Sequence, residues 1–159
     1  MMNFEEWQND ISKSIKTDSL WKMSVYRYAL FLGDLGWYDV TKLQQDRRTL
    51  RISDQMYRAL GSISANVAEG YSRGSNKERA HFYEYSLGSA RESRDWYHKG
   101  RHVLGDTVVE HRMNMLVQII KLLLTMIPEQ RGRSIKEEQG IYSPENEMND
   151  LLNNIPLAE

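Results

Sequence analysis

The chain contains no cysteine, which excludes disulfide bonds and thiolate metal sites. The lack of cysteine also fits a reducing compartment, so we expect a cytoplasmic protein. The first ten residues are acidic and lack the basic and apolar regions of a secretory signal. No apolar run reaches the roughly 18 residues that a membrane span needs. These absences predict a soluble protein that has no membrane partner.

No segment alternates apolar and polar residues for long enough to predict a strand. Apolar residues instead recur at intervals of three and four, which is typical of one helix face. This period predicts four long helices, at residues 20–43, 50–71, 75–104 and 108–127. Capping boxes at Ser75-x-x-Glu78 and Thr107-x-x-Glu110 would open the last two, and Pro128 would end the fourth. Short links between long helices predict an all-α fold, an antiparallel up-down-up-down four-helix bundle.

Both ends of the chain extend beyond this predicted bundle. Apolar residues at helical spacing predict a short amphipathic helix at residues 4–15, either packed on the body or available to bind a partner. From residue 131 onward the chain is polar and acidic, and we expect a tail that is mobile or draped on the surface. The predicted organisation is an N-terminal extension at 1–17, a bundle at 18–130 and an acidic tail at 131–159.

Charge is distributed unevenly, although the net charge is only −1. Residues 47–102 carry 11 basic and 6 acidic side chains, whereas residues 134–159 carry 1 and 6. A basic middle followed by an acidic tail favours an anionic partner for the middle of the chain. It also suggests that the tail could fold over the basic face and lower its affinity for such a partner.

Small residues flank the turn near Gly74, between the second and third helices. Counting back from this turn places Gly61 roughly opposite Gly88, where neither helix carries a bulky side chain. We therefore expect the two helices to approach each other closely at these glycines.

The same region carries a motif that resembles the signature of a bacterial four-helix-bundle family. The founding members of that family are encoded in intervening sequences of large-subunit ribosomal RNA genes, and it is distantly similar to the accessory variability proteins of diversity-generating retroelements. The motif reads Ser62-Ile63-x-x-Asn66-x-x-Glu69-Gly70, then Arg73 and Ser75, then Gly88-Ser89-x-x-Glu92.

The resemblance implies a left-handed bundle that assembles as a ring-shaped homopentamer and has no established enzymatic activity. It also implies RNA or a reverse transcriptase as the partner. We assign a structural role, holding helices and subunits together, to Asn66, Glu69, Gly70, Arg73, Gly88 and Glu92. Glu69 near a helix C-terminus needs a cationic partner. It either helps to form a polar binding pocket or pairs with Arg73 or with an arginine of a neighbouring subunit.

Arginines recur on one face of the third helix and in a similar stripe on the second. Such stripes could attract phosphate groups of a nucleic acid, or they could be solvated or paired between subunits. The candidate nucleic-acid contacts are Arg47, Arg51, Arg58, Arg91, Arg94 and Arg101. Nearby aromatic residues could stack on bases or belong to the core, namely Tyr71, Tyr83, Tyr85, Trp96 and Tyr97.

We find no candidate catalytic or metal-binding set. His98 and His102 have a spacing that could hold a metal, but no third ligand lies at a matching spacing. Di-iron bundles need the Glu-x-x-His motif twice, and the chain lacks this pair of motifs. The sequence therefore predicts no cofactor and a non-catalytic homo-oligomer, which acts as a scaffold or an RNA-binding accessory protein. The alternative is a protein–protein interaction module that binds no nucleic acid.

Overall fold

The computed structural model describes residues 3–132 and 144–158, and within these ranges it is helical without strands. Four long helices pack together, which confirms the predicted all-α bundle. They are α3 (Ser24–Leu43), α4 (Leu50–Tyr71), α5 (Asn76–Leu104) and α6 (Asp106–Arg131). The shorter elements are α1 (Phe4–Asp10), α2 (Lys13–Lys16), a 3₁₀ turn at Ser19–Lys22, and α7 (Pro144–Asn153).

Apolar side chains from all four long helices meet in one core. Contacts between α4 and α5 come in opposite chain order: the space beside Gly70 is filled by Tyr83, and the space beside Gly100 by Met56. Between these levels, the Ser86 hydroxyl donates to the Ile63 carbonyl at 2.9 Å. This is the order of contacts that an antiparallel helix pair requires.

The helix limits predicted for α4 and α5 agree with the structure. Ser75 caps α5, because its hydroxyl accepts a hydrogen bond from the Glu78 backbone N–H at 3.2 Å. The Glu78 carboxylate accepts from the Ser75 hydroxyl at 2.8 Å, so it stabilises the cap itself. Gly105, at φ 82°, ends the helix as expected, since a left-handed φ suits glycine.

Both predicted limits of the fourth helix were wrong. The helix begins at Asp106 directly after Gly105, without a side-chain cap, so Thr107 does not open a capping box. It also continues through Pro128 to Arg131. Pro128 lacks the N–H that would donate to the carbonyl of Leu124, but the three residues after it still complete the last turn. Gly132 in the left-handed conformation then ends the helix, and its N–H donates to the Pro128 carbonyl.

The predicted close approach of Gly61 and Gly88 was also wrong. A Cβ atom added at either position would meet nothing within 4 Å, and both residues are exposed. Close approaches occur instead at three other glycines, each of which faces a large core side chain. An added Cβ would lie 2.5 Å from Leu60 at Gly36, 2.8 Å from Tyr83 at Gly70 and 3.2 Å from Leu43 at Gly100.

The N-terminal segment packs on α3, in agreement with the first of the two alternatives. Phe4 and Trp7 are buried and stack at a centroid distance of 5.4 Å, and both contact the Phe31 ring. The Trp7 indole N–H donates to the Asp34 carboxylate at 2.6 Å. The predicted helix at 4–15 is divided after Asp10, because Ile11 is extended and Ser12 caps α2.

The expected mobile or surface-draped tail does not describe residues 144–158. Met148, Leu152 and Ile155 are buried and belong to the core. They lie four and three residues apart, so α7 and the residues after it present one apolar face to the bundle. The part of the tail at residues 133–143 lies outside the described residues.

Candidate nucleic-acid interface

The predicted arginines lie on α4, on α5 and in the turn before α4. Arg51 and Arg58 are exposed on α4, and Arg91 is exposed on α5. Arg47 is also exposed, but it precedes the helix rather than continuing its stripe. Arg94 and Arg101 are half-buried, and Arg101 donates to the His98 carbonyl at 2.7 Å. Since α4 and α5 pack side by side, the exposed arginines lie on, or just before, two neighbouring helices.

Acidic residues are interleaved with these arginines. Asp54 lies 3.9 Å from Arg58, one helical turn away, and both side chains are mostly exposed. On α5, Lys99 pairs with Asp95 in the same way. Exposed pairs of this kind contribute about 0.3–0.5 kcal/mol and are screened by salt. Such a weak pair leaves Arg58 available to a stronger anionic partner.

The aromatic residues of this region separate into two groups. Tyr83 and Tyr97 are 2% and 0% exposed, so both belong to the core and cannot stack on a base. Tyr85 is 51% exposed on α5. Trp96 is half-buried, with its N–H donating to Glu92 at 3.0 Å and the Lys99 amine 4.3 Å from its ring.

The motif residues on α4 and α5 link the two helices. The Asn66 side-chain amide donates to the Ser62 carbonyl at 2.8 Å and to the Ser62 hydroxyl at 2.9 Å. That hydroxyl accepts a hydrogen bond from Ser89 of α5 at 3.0 Å. Asn66 thereby orients the serine that connects the helices.

The second part of the motif contains the ion pair expected for Glu69. Glu69 pairs with Arg73 of the same chain, one turn away. The Arg73 guanidinium also lies 4.5 Å from the centre of the Phe82 ring, a cation–π contact with α5. Glu92 accepts a hydrogen bond from Trp96 of its own helix, and its predicted role between helices or subunits stays a prediction.

A buried polar network lies in the core, and neither of its two charged members was among the residues predicted from the sequence. Arg112 of α6 binds Asp39 of α3 through two hydrogen bonds, Nε to Oδ2 at 2.8 Å and Nη2 to Oδ1 at 3.1 Å. Both side chains are 0% exposed. The Tyr97 hydroxyl donates to Asp39 Oδ2 at 2.8 Å, and burial raises the pKa of Tyr97 well above its usual value.

The same arginine also holds the C-terminal segment. Its Nη2 donates to the Pro156 carbonyl at 2.9 Å, and its Nη1 donates to His111 Nδ1 at 2.8 Å. His111 Nε2 lies 2.7 Å from the Leu151 carbonyl, so the imidazole is neutral and donates through Nε2. Burial lowers the pKa of His111 to about 4.

This network is structural because every member is buried and hydrogen-bonded. The sequence signal for it was present: Asp39 and Arg112 occupy positions of apolar stripes, each four residues from a buried partner such as Leu35 or Leu116. A charge at a core position predicts a partner of opposite charge. The pairing itself, across 73 residues, needed the fold.

In the described ranges, no group of three or more histidine or acidic residues could hold a metal ion. His98 and His102 are both exposed on α5. None of the described helices has the length and apolar character of a membrane span.

Comparison with known proteins identifies the family. The model of the 23S rRNA-intervening sequence protein family matches residues 22–125, more than half of the chain. The chain belongs to this family. A search of curated proteins and a search of solved structures both found no match.

The family match covers α3 to α5 and most of α6. It includes the motif on α4 and α5, the predicted arginines and both members of the Asp39–Arg112 pair. It leaves out α1, α2 and the C-terminal segment; of these, α1 and the C-terminal segment contribute side chains to the core. The 23S rRNA-intervening sequence proteins are small helical proteins and are not a known enzyme family.

Proposed function

We propose that the protein is a non-catalytic, homo-oligomeric accessory protein that binds RNA through the phosphate backbone. The observation that carries the proposal is the set of exposed arginines on, or just before, the neighbouring helices α4 and α5: Arg47, Arg51, Arg58 and Arg91. They lie in the block that carries 11 basic and 6 acidic residues. The ribosomal RNA in the family's description supports the same class of partner.

Binding of this kind is electrostatic and independent of sequence. Arginine pairs with phosphate through two parallel hydrogen bonds, which suits it to backbone contacts. Exposed Tyr85 is placed to stack on an unpaired base. In a ring-shaped pentamer, the arginines of several subunits would contact one RNA at the same time. Many weak contacts would then give a high overall affinity.

The test compares the full chain with two triple variants of equal charge. In the first, Arg51, Arg58 and Arg91 are changed to Gln; in the control, Lys13, Lys22 and Lys42 are changed to Gln. Binding to a structured RNA is measured at low and moderate salt, and the mass in solution is recorded on the same samples.

For the unchanged protein and the lysine control, we expect an affinity that falls steeply with salt. The arginine variant should bind RNA at least about tenfold more weakly. The slope of the logarithm of its affinity against the logarithm of the salt concentration should become shallower by about one for each phosphate that is no longer bound. Equal weakening in both variants would show a response to net charge alone. No RNA binding by the unchanged protein at low salt would contradict the proposal.

A second function, protein–protein interaction without nucleic acid, is favoured by an aromatic patch on α3 and α4. Trp37 and Tyr57 are 59% and 43% exposed and meet edge to face at a centroid distance of 6.1 Å. Exposed aromatic pairs are typical of interfaces. A reverse transcriptase is the protein partner that the family resemblance implies. An oligomer that fails to bind RNA in the experiment above would favour this function.

A further inference from the structure

A cavity of about 750 Å³ opens at the end of the bundle where α3 begins and α6 ends. This volume lies within the range of small-molecule pockets. One wall is apolar and comes from α6, from the start of α3 and from the residue before it. The side chains of that wall are Met23, Val25, Leu122 and Met126.

A tyrosine of the core lies in the same cavity, and its hydroxyl has no partner among the described residues. Tyr83 lines the cavity and is only 2% exposed. Its hydroxyl makes no hydrogen bond to any of the described residues. The hydroxyl is not one of the fully buried, unpaired polar atoms of the described residues, so it faces the open cavity, where a ligand can accept its hydrogen bond. The motif glycine Gly70 places this ring, because an added Cβ there would lie 2.8 Å from it.

Arg79 also lines the cavity, and its guanidinium donates hydrogen bonds to uncharged groups. Arg79 donates to the Gln130 side chain at 3.2 Å and to the Arg73 carbonyl at 3.0 Å. Its Nε is buried and has no acceptor within the described part of the chain. The structure shows no ion pair to Arg79 among those residues, so its positive charge is not neutralised by a carboxylate at close range.

We propose that this cavity binds a small monocarboxylate with an apolar body. The carboxylate accepts a hydrogen bond from the Tyr83 hydroxyl and is stabilised by the charge of Arg79, while the apolar body packs along Leu122 and Met126. The exposed Glu129 also lines the cavity and disfavours a ligand with two negative charges, such as a phosphate ester. None of the arginines proposed to bind RNA lines this cavity.

The experiment measures binding of decanoate to the full chain by calorimetry, with decanol as an uncharged probe of the same length. We expect decanoate to bind and decanol to bind at least about tenfold more weakly. Tyr83→Phe should weaken decanoate binding about tenfold, since it removes only the hydroxyl, and Arg79→Gln should weaken it further. The matched control is Tyr38→Phe, at an exposed position of α3 outside the cavity, which should leave the affinity unchanged.

Tyr83→Phe should fold like the unchanged protein, because the hydroxyl makes no bond that folding needs, and a thermal unfolding curve without ligand checks this. Three outcomes would overturn the proposal: no decanoate binding, equal binding of decanol and decanoate, or equal affinity in Tyr83→Phe. Because RNA is absent from the experiment, its result does not depend on the proposed function.

Discussion

At the residue scale, the stability of the fold depends on a buried ion pair and on glycines that contact core side chains. Arg112 and Asp39 are fully buried and, among the described residues, are satisfied by each other, by Tyr97, by His111 and by a backbone carbonyl. Removing one partner of such a pair costs about 3–5 kcal/mol, because the other charge is left buried. The effect of replacing a glycine also depends on its position, since some glycines face core side chains and others face solvent.

We predict opposite effects for two motif glycines changed to alanine. Gly70→Ala should lower the free energy of unfolding by about 1–2 kcal/mol, because the new methyl group would overlap Tyr83 and Phe82. Gly88→Ala, inside an exposed helix face, should raise it by about 0.5–1 kcal/mol through helix propensity. Urea unfolding of both variants measures the difference. Equal stability of the two would contradict the packing assigned to Gly70.

At the element scale, the C-terminal segment is the part most dependent on docking. α7 has 10 residues, too few for a stable isolated helix in water. It is held by the apolar face of Met148, Leu152 and Ile155, and by carbonyl contacts to His111 and Arg112. A segment held in this way can open locally while the bundle stays folded.

We therefore predict that Leu152→Ala combined with Ile155→Ala releases the segment and leaves the bundle intact. Backbone amides of residues 144–158 should exchange hydrogen much faster, while those of α4 and α5 remain protected, as measured by mass spectrometry. Leu157→Ala is the matched control, because Leu157 is 37% exposed in the same segment. Loss of protection throughout the chain would show instead that the segment and the bundle unfold as one unit.

At the scale of the whole molecule, the two charged regions occupy different positions. The arginines lie on α4 and α5, whereas α7 packs on α6. The described part of the acidic tail therefore docks away from the arginines, and does not support the idea that the tail folds over the basic face. Its docking brings the carbonyls of Leu151 and Pro156 to His111 and Arg112, which links the stability of the whole fold to pH.

We predict that stability falls as the pH is lowered from about 6.5 to about 4. The folded state keeps His111 neutral with a pKa of about 4, below its ordinary value of 6.5. The unfolded chain therefore takes up a proton first, and the stability present above pH 6.5 is lost through this range. Protonation would place an N–H on Nδ1 against the Arg112 guanidinium, with Asp39 as the nearby negative charge.

The measurement is urea unfolding across this pH range. His111→Gln should flatten the pH dependence relative to the unchanged protein, by at most ~1.4 kcal/mol per pH unit. His98→Gln, at an exposed position, is the control and should follow the unchanged protein. The same slope in all three proteins would exclude His111 as the titrating group.

Periodicity and local signals by themselves determined the helices of this protein. The three-and-four spacing of apolar residues located four long helices, and Ser75 and Gly105 located the ends of α5, because capping depends only on neighbouring residues. Pro128 misled the prediction, since the helix continues for three residues beyond it although the proline lacks a backbone donor. The arginines were likewise evident from spacing, but their exposure was not.

Tertiary structure decided everything that needs two distant segments. Which glycines face a side chain was decided by the rotation of each helix, and for that reason Gly70 packs tightly whereas Gly61 and Gly88 do not. The partner of Asp39 lies 73 residues away, and no local pattern specifies such a distance. Docking of the C-terminal segment depends on a surface that exists only after α3 and α6 have packed. The period of the apolar residues in the sequence shows which face of a helix is apolar. Only the tertiary structure shows which residues that face contacts.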